Sequence, residues 1–550
     1  MLLLPKQSCA IVEEPIFKEN LSEKEKEIIR PYFSSLEKNT FVLTNLPEVI
    51  KGTLFSRYSR SDKGARRLLL DEFITNKEIA DVIGAGSPIN HANASLAINK
   101  AEDFYQRVLV GYGDDSVAEL AGVHLACENI SSLAADMLTD SRIGISPLEK
   151  SARYILFDKK VDGKYLWYRS KAILSSRHSQ LYEETMELLF SSYSKWLPIV
   201  QAHVKSVTPK DPTATDRAYE SATRAKACDI LKNLLPAGRL TNVGLYGNGR
   251  AFEYLLTKLH SSNLTEAQLL AEEIHEELAK VIPAFVKRSK PSEYIMGLRE
   301  GMESYRQPHA GAGSSGNESI RLVDYDPEGE NKILAAMIYP YSHSSLDDLI
   351  SKISRMSNEE KKKLASDYLS KRRNRRDKPG RALENTYYTF ELCANYGIFR
   401  DLHRHRQLSQ EKQALTTNLG FDTPPELAEI GLEKEFQEVM NKAREAYTTI
   451  HADLPTAAQY IVPRGFKMKW YMKMNLREAF HVTELRSSKQ GHPDYRKAAQ
   501  RIRNLILEKH PALEEYMQVD MNEYALPRIE SEKRIDRKLE ELDKKTGATQ

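Results

Sequence analysis

The sequence predicts an α+β chain built as two tandem copies of one domain. Three observations carry that expectation. At 550 residues the chain has room for two to four domains. It also repeats itself: LLPAGRLTNVGLYGNGRAFEYLL, with Pro236 and Asn248-Gly249-Arg250, is matched by YIVPRGFKMKWYMKMNLREAFHVTEL, with Pro463 and Asn475-Leu476-Arg477. The distance from proline to asparagine is identical in the two, and an aromatic, Phe252 or Phe480, follows. Finally, a second pair of landmarks precedes each match. Glu119 opens a segment leading to Ser141-Arg142, and Glu384 opens one leading to Arg404-His405-Arg406.

Taken in order, residues 1–40 read as an N-terminal extension with a charged helix near NLSEKEKEIIRPYF. The first copy spans 41–290 and begins with a helical apolar stripe, Leu68, Leu69, Leu70 and Phe73. Its Glu-to-Pro interval is the longer of the two, so an insertion is expected around DGKYLWYRSKAILSS. Residues 291–320 read as a linker, Gly/Ser/Pro-rich at 306–319. No strand-GxxxxGK[ST]-helix pattern surrounds that joint, so it does not read as a phosphate loop. The second copy spans 321–528. Apolar spacing and polar starts predict long helices at SNLTEAQLLAEEIHEELAKVI, PPELAEIGLEKEFQEVMNKAREAY and PDYRKAAQRIRNLILEKH. Residues 529–550 read as a charged helix ending in a polar tail.

Composition excludes several classes. The net charge of +3 is near neutral for this length and gives no overall electrostatic case for nucleic acid or membrane. Cys9, Cys127, Cys228 and Cys393 lie far apart with no Cys-x-x-Cys, which argues against a disulfide framework or a cysteine zinc site. The start lacks a basic n-region and an h-region, and no apolar run approaches membrane-spanning length. A cytoplasmic setting is the expectation. His403/His405 and His481/His492 lack a carboxylate pair to complete a ligand set, so no metal is expected.

Three stretches carry chemistry. Arg404-His405-Arg406 ends an aromatic-rich, apolar segment, TYYTFELCANYGIF. Guanidinium forks suit phosphate and carboxylate. The competing reading is a solvated helix end with its basic residues in water. Next, Glu149-Lys150-Ser151-Ala152-Arg153-Tyr154 offers a carboxylate, a hydroxyl and an arginine that could hold a nucleotide; an ordinary turn after Pro147 is the competing reading. Last, NLREAFHVTELRSS weaves Asn475, His481 and Arg486 among apolar residues, as a half-buried helix lining a site would, or a surface helix with a polar stripe.

In combination these residues resemble the flavin-dependent thymidylate synthases. That family's signature runs Arg-His-Arg, seven residues, then Ser-x-Arg-Tyr. A later segment runs Pro, eleven residues, Asn-x-Arg, and on to Leu-Arg. This chain looks like two such domains, which implies a mixed sheet with long helices in each. The departures are complementary. After Arg406 the second copy has Ala414-Leu415-Thr416-Thr417 in place of Ser-x-Arg-Tyr. The first copy has Asp140-Ser141-Arg142 in place of Arg-His-Arg but keeps Ser151-Ala152-Arg153-Tyr154. Lys232 stands where the family has a phosphate-binding arginine, and Gln459 stands there in the second copy. Arg486 keeps the place the family uses against the pyrimidine, where the first copy has Leu259.

The resemblance implies reductive methylation of dUMP to dTMP, with methylenetetrahydrofolate as carbon donor, FAD as cofactor and NADPH as reductant. It implies composite sites between the copies. Arg486 would be catalytic. Ser116, Arg404, His405, Arg406, Asn475, Arg477 and His481 would hold FAD. Glu149, Ser151, Arg153 and Lys232 would hold dUMP. The chain would pair into a homodimer of four domains. Two other readings stand beside it: a related flavin- or nucleotide-binding protein without synthase activity, and a nucleic-acid-binding protein using the basic run 371–381, KRRNRRDKPGR.

Overall fold

A computed structural model describes residues 20–59, 61–75, 115–141, 143–305 and 319–546. Helix α1 (Glu23–Ile29) forms where the charged helix of the extension is expected, fixed by a capping box between Ser22 and Glu25. Helix α2 (Glu48–Tyr58) follows, and the stripe Leu68, Leu69, Leu70 and Phe73 is buried. The chain then lays down strand β1 (Gly122–Ser131), helix α3 (Ser132–Thr139) and strand β2 (Ile145–Glu149). The expected insertion holds a short hairpin, Lys160–Val161 with Lys164–Tyr165. It turns on Asp162-Gly163, both at positive φ. Two long helices, α4 (Ser179–Val207) and α5 (Asp216–Leu231), lead to strand β3 (Leu240–Asn248) and helices α6 (Gly249–His260) and α7 (Thr265–Ala279).

The second copy repeats this order. Strands β4 (Ile320–Tyr325) and β5 (Tyr387–Asn395) precede helix α8 (Tyr396–Leu402) and strand β6 (Leu408–Lys412). Helix α9 (Glu433–Asp453), strand β7 (Lys467–Asn475) and helices α10 (Leu476–Arg486), α11 (Pro493–Leu507) and α12 (Ile529–Thr546) complete it. The sheet orders are β1-β3-β2 and β4-β5-β7-β6, so the core three strands of each copy are arranged alike. In the second sheet β5 runs antiparallel to β7 from Tyr387↔Asn475 to Asn395↔Lys467. Met468, Trp470, Met472 and Met474 point to the core while Lys469, Tyr471 and Lys473 do not, the period-two pattern of a half-buried strand.

The repeated landmarks have a structural reason. Asn248 and Asn475 each cap the following helix, accepting the amide of Ala251 and of Glu478 at 2.9 Å. Two residues on, Arg250 pairs with Glu119 and Arg477 pairs with Glu384, each at 2.7 Å. The prolines meet each other: Pro236 and Pro463 form an antiparallel bridge. The bonds around it come in equivalent pairs, Ala237 N to Val462 O (2.9 Å) with Arg464 N to Leu235 O (3.1 Å), and Gly238 N to Tyr460 O (2.6 Å) with Gly465 N to Asn233 O (2.9 Å). Such pairing is a local pseudo-twofold within one chain. Glycine is needed there, because a Cβ on Gly238 would sit 2.9 Å from the Tyr460 carbonyl.

Two expectations need refinement. The span 291–320 is not linker throughout, since Glu293–Glu303 is helical, although none of its residues is buried. The helix expected over PPELAEIGLEKEF breaks at Gly431, whose φ of +72° ends Pro425–Glu429 before α9 begins. By compactness the chain divides across the copies. One unit holds Met1–Ala126, Ile143–Pro147 and Gly244–Gly301; the other holds Cys127–Arg142, Leu148–Val243 and Met302–Gln550.

Candidate active site

Within the larger unit a pocket of about 340 Å³ is lined by both copies. Eight of its lining side chains are Lys or Arg and only two, Glu149 and Asp401, are carboxylates. Such an excess of fixed positive charge is suited to an anion.

Strand β2 ends at Glu149, a buried carboxylate. Its Oε1 accepts from Arg400 (2.6 Å) and Thr241 (3.1 Å), and its Oε2 from Arg404 (3.2 Å). Burial alone would push this carboxyl up. The charges of Arg400, Arg239, Arg404 and Arg464 outweigh burial and hold it at about 2. Arg400 also reaches Asp136 (3.2 Å) and the Ser132 carbonyl (2.7 Å), and the Tyr396 hydroxyl donates to Asp136. Glu149 and Asp136 thus hold the arginines that face the pocket.

The next residues form the loop with Ser151, whose Oγ accepts the Arg153 amide at 3.4 Å. Arg153 is clamped bidentately by Asp229 (2.8 and 2.7 Å), and its Nη1 donates to the Gln490 carbonyl (3.1 Å) and the Tyr495 hydroxyl (3.3 Å). Burial disfavours the charged guanidinium, but Asp229 more than offsets it and raises its pKa. Just past α5, Lys232 is buried on the pocket wall. Its ammonium makes no hydrogen bond or ion pair within the described residues. Burial pushes its pKa down, against the pull of Asp229, Asp401 and Asp494.

Opposite, α10 ends on Arg486, whose Nε donates to His405 Nε2 at 2.8 Å. A guanidinium has no acceptor, so Nε2 carries the lone pair and the proton sits on Nδ1. That Nδ1 donates to Glu478 at 3.0 Å. Burial, then Arg486 and His481, drives the His405 pKa well down and keeps the ring neutral. Arg486, His405 and Glu478 therefore form one oriented chain from the pocket to the first turn of α10.

The structure brings Glu149, Ser151, Arg153, Lys232, Arg404 and Arg486 onto one pocket. His405 stands behind Arg486, and His481 is exposed with its ring centroid 5.2 Å from that of His405. Arg406 is exposed as well. Asn475 and Arg477 lie at the far end of α10, where they make the helix cap and the Glu384 ion pair. The side chain of Ser116 lies outside the described residues. His405, Glu478 and His481 place possible ligand atoms within 4.8 Å of one another. Both nitrogens of His405 are already bonded, so this triplet is a packed network. Reading the sequence did not single out Arg400, Asp401, Arg464, Tyr495 or Arg528, which also line the pocket.

Fold and site define a two-repeat α+β protein with one cation-walled pocket shared between its copies. More particularly, the chain belongs to the thymidylate synthase complementing protein family, whose model matches residues 64–284 and 321–512, one match in each copy. The family connects the chain with thymidylate synthesis. It is similar to UPF0159 proteins along nearly its whole length. That of Chlamydia muridarum is 41% identical over 525 residues, 94% of this chain and 98% of the relative. That of Chlamydia pneumoniae is 40% identical over 526 residues, with the same coverage. That of Thermoplasma acidophilum is 34% identical over 513 residues, 88% of this chain and 98% of the relative. No helix among the described residues is long and apolar enough to cross a membrane.

Proposed function

We propose that the chain is a flavin-dependent thymidylate synthase, converting dUMP to dTMP with methylenetetrahydrofolate and NADPH. The observation that carries this reading is the convergence on one pocket of the Ser151–Arg153 loop and Lys232 from the first copy with Arg404 and Arg486 from the second. Lys232, a buried ammonium without a hydrogen-bond or ion-pair partner among the described residues, binds the substrate phosphate. Ser151 sits on the same loop as a further donor. Arg153, fixed by Asp229, keeps the loop and Tyr495 in place. Arg486, oriented by His405 and Glu478, stabilises negative charge that develops on the uracil ring.

Arg404 on the pocket wall, and the exposed Arg406 and His481 that flank the His405 segment, have the chemistry to hold the phosphates or ring edge of FAD. FAD, when bound, supplies the hydride. The assay for the whole reading is dTMP formation from dUMP by purified protein that shows the flavin absorption bands. Absence of both flavin and dTMP would leave a nucleotide-binding relative. Changing Arg404 and Arg406 together to Ala is expected to strip flavin with the fold intact, read by absorbance and circular dichroism. Full flavin occupancy in that variant would remove these residues from the cofactor site.

A second composite site, with the copies exchanging roles, lacks its parts. Gln459 replaces Lys232, and its Oε1 accepts the Leu415 amide at 3.0 Å. The Leu415 carbonyl accepts the Tyr447 hydroxyl at 3.1 Å, so the second loop is pinned to the protein. Leu259 replaces Arg486 and is buried. We therefore propose one dUMP per chain and two per homodimer. Calorimetry combined with light scattering checks this; two dUMP bound per chain would contradict it.

A further inference from the structure

A cation from outside the family-matched segments reaches the same pocket. The second match ends at residue 512, yet Arg528 and Ser531, at the start of α12, line the pocket wall. Arg528 is only 5% exposed. Its Nε and Nη1 are buried with no hydrogen-bond partner, and no carboxylate pairs with it within the described residues. Asp229, the acid of that region, is engaged bidentately by Arg153. Among the described residues the Arg528 guanidinium rests on the Tyr154 ring, 4.3 Å from centroid to Cζ, on the loop that carries Ser151 and Arg153.

Burying an arginine without an anion is costly, and a ring face offsets only part of that cost. A buried, unsatisfied guanidinium calls for an explanation, and on a pocket wall an anionic ligand supplies one. Ser531, one helical turn on, accepts from Gln490 Nε2 at 2.7 Å, which leaves its hydroxyl hydrogen to donate. The position is set independently of any ligand. Farther along α12, Asp536 takes Thr215 and Arg217, and Lys533 reaches Asp211 and Thr213, all at or near the start of α5. Helix α12 is thus tied to the helix that delivers Lys232.

We propose that Arg528, assisted by Ser531, binds the phosphate monoester of the substrate, so that the C-terminal helix supplies a phosphate subsite of this pocket. The assignment rests on the nucleotide reading above. Arg528 and Lys232 then share the dianion, and its binding relieves the mutual repulsion of Arg528 and Arg153. The tail that reads in sequence as a solvated charged helix is, on this view, a wall of the site.

The test titrates the full-length protein with inorganic phosphate, dUMP and deoxyuridine, using wild type, Arg528→Ala and Arg528→Gln. The glutamine variant keeps most of the stem and removes the charge, so it decides the matter if the alanine variant is poorly folded. Loss of a charged contact to phosphate is expected to weaken dUMP and inorganic phosphate about 10- to 100-fold in both variants. Deoxyuridine binding should be unchanged. Phosphate should raise the melting temperature of wild type and not of the variants. Unchanged binding of dUMP and phosphate in Arg528→Gln overturns the proposal, as does an equal loss of deoxyuridine. A wild-type protein that binds neither phosphate nor dUMP also overturns it. If wild type binds phosphate through Arg528 but does not bind dUMP, the phosphate subsite stands and the thymidylate synthase reading falls.

Discussion

Replacing Arg486 by Ala is expected to lower turnover about a hundredfold or more while leaving dUMP affinity roughly intact, because a pre-placed donor acts mainly on charge that develops in the transition state. The local geometry sharpens that expectation. Arg486 does not point into the pocket by itself. Its Nε is held by His405, and His405 is held in one tautomer by Glu478. An arginine so fixed loses little side-chain freedom during reaction, and what it stabilises is set by where it is aimed. A positioning role for Glu478 follows: Glu478→Gln keeps the shape and can offer its amide hydrogen to the ring, favouring the other tautomer and turning the lone pair away from Arg486. That variant should lose turnover by a smaller factor than Arg486→Ala, again without loss of dUMP binding. Calorimetry for dUMP beside single-turnover kinetics separates the two effects. If Arg486→Ala weakened dUMP binding by the same factor as it slowed turnover, Arg486 would be a ground-state contact and the proposed division of roles would be wrong.

How far this site could be read from sequence depends on the kind of signal. The doubled pattern of Pro and Asn-x-Arg was legible because it is local, and its cause is local: a helix cap and an ion pair in each copy, and the prolines pairing across the pseudo-twofold. The complementary losses, Lys232 against Gln459 and Arg486 against Leu259, could also be read, since the repeat gives each residue a counterpart. Arg464 follows a landmark directly and could have been weighed from its adjacency to Pro463. Arg400 lies four residues before Arg404 on an apolar helix. Only its burial against Asp136 and Glu149, far away in the chain, distinguishes it from a solvated arginine. Arg528 gave no sequence signal at all, because a charged helix in water and one docked on α5 have the same composition. Arg477 shows the converse. Its motif suggested a ligand contact, and the structure gives it Glu384, as the first copy gives Arg250 its Glu119.

Arg400→Met should be the most destabilising single change near the site. Arg400 is 6% exposed and lies between two buried carboxylates, Asp136 at 3.2 Å and Glu149 at 2.6 Å. Methionine fills much of the volume but leaves both acids with less compensation, and removing one member of a buried ion network typically costs about 3–5 kcal/mol. The pH dependence gives a second readout. In wild type the folded Glu149 pKa, about 2, lies below its ordinary value of 4.5. The stability this group contributes is therefore fully present above pH 4.5 and is lost as pH falls from there through 2. Without Arg400 the largest opposing charge is gone, burial pulls the folded pKa back upward, and the acid-side fall in stability should flatten. Adding Glu149→Gln to Arg400→Met should recover part of the loss, since the two residues share one bond and their effects cannot be additive. Urea unfolding of wild type, Arg400→Met and the double variant at pH 7 and pH 4 checks each step. A single variant as stable as wild type at pH 7, with an unchanged acid slope, would show that the arginines of this pocket are not held by Glu149 and Asp136.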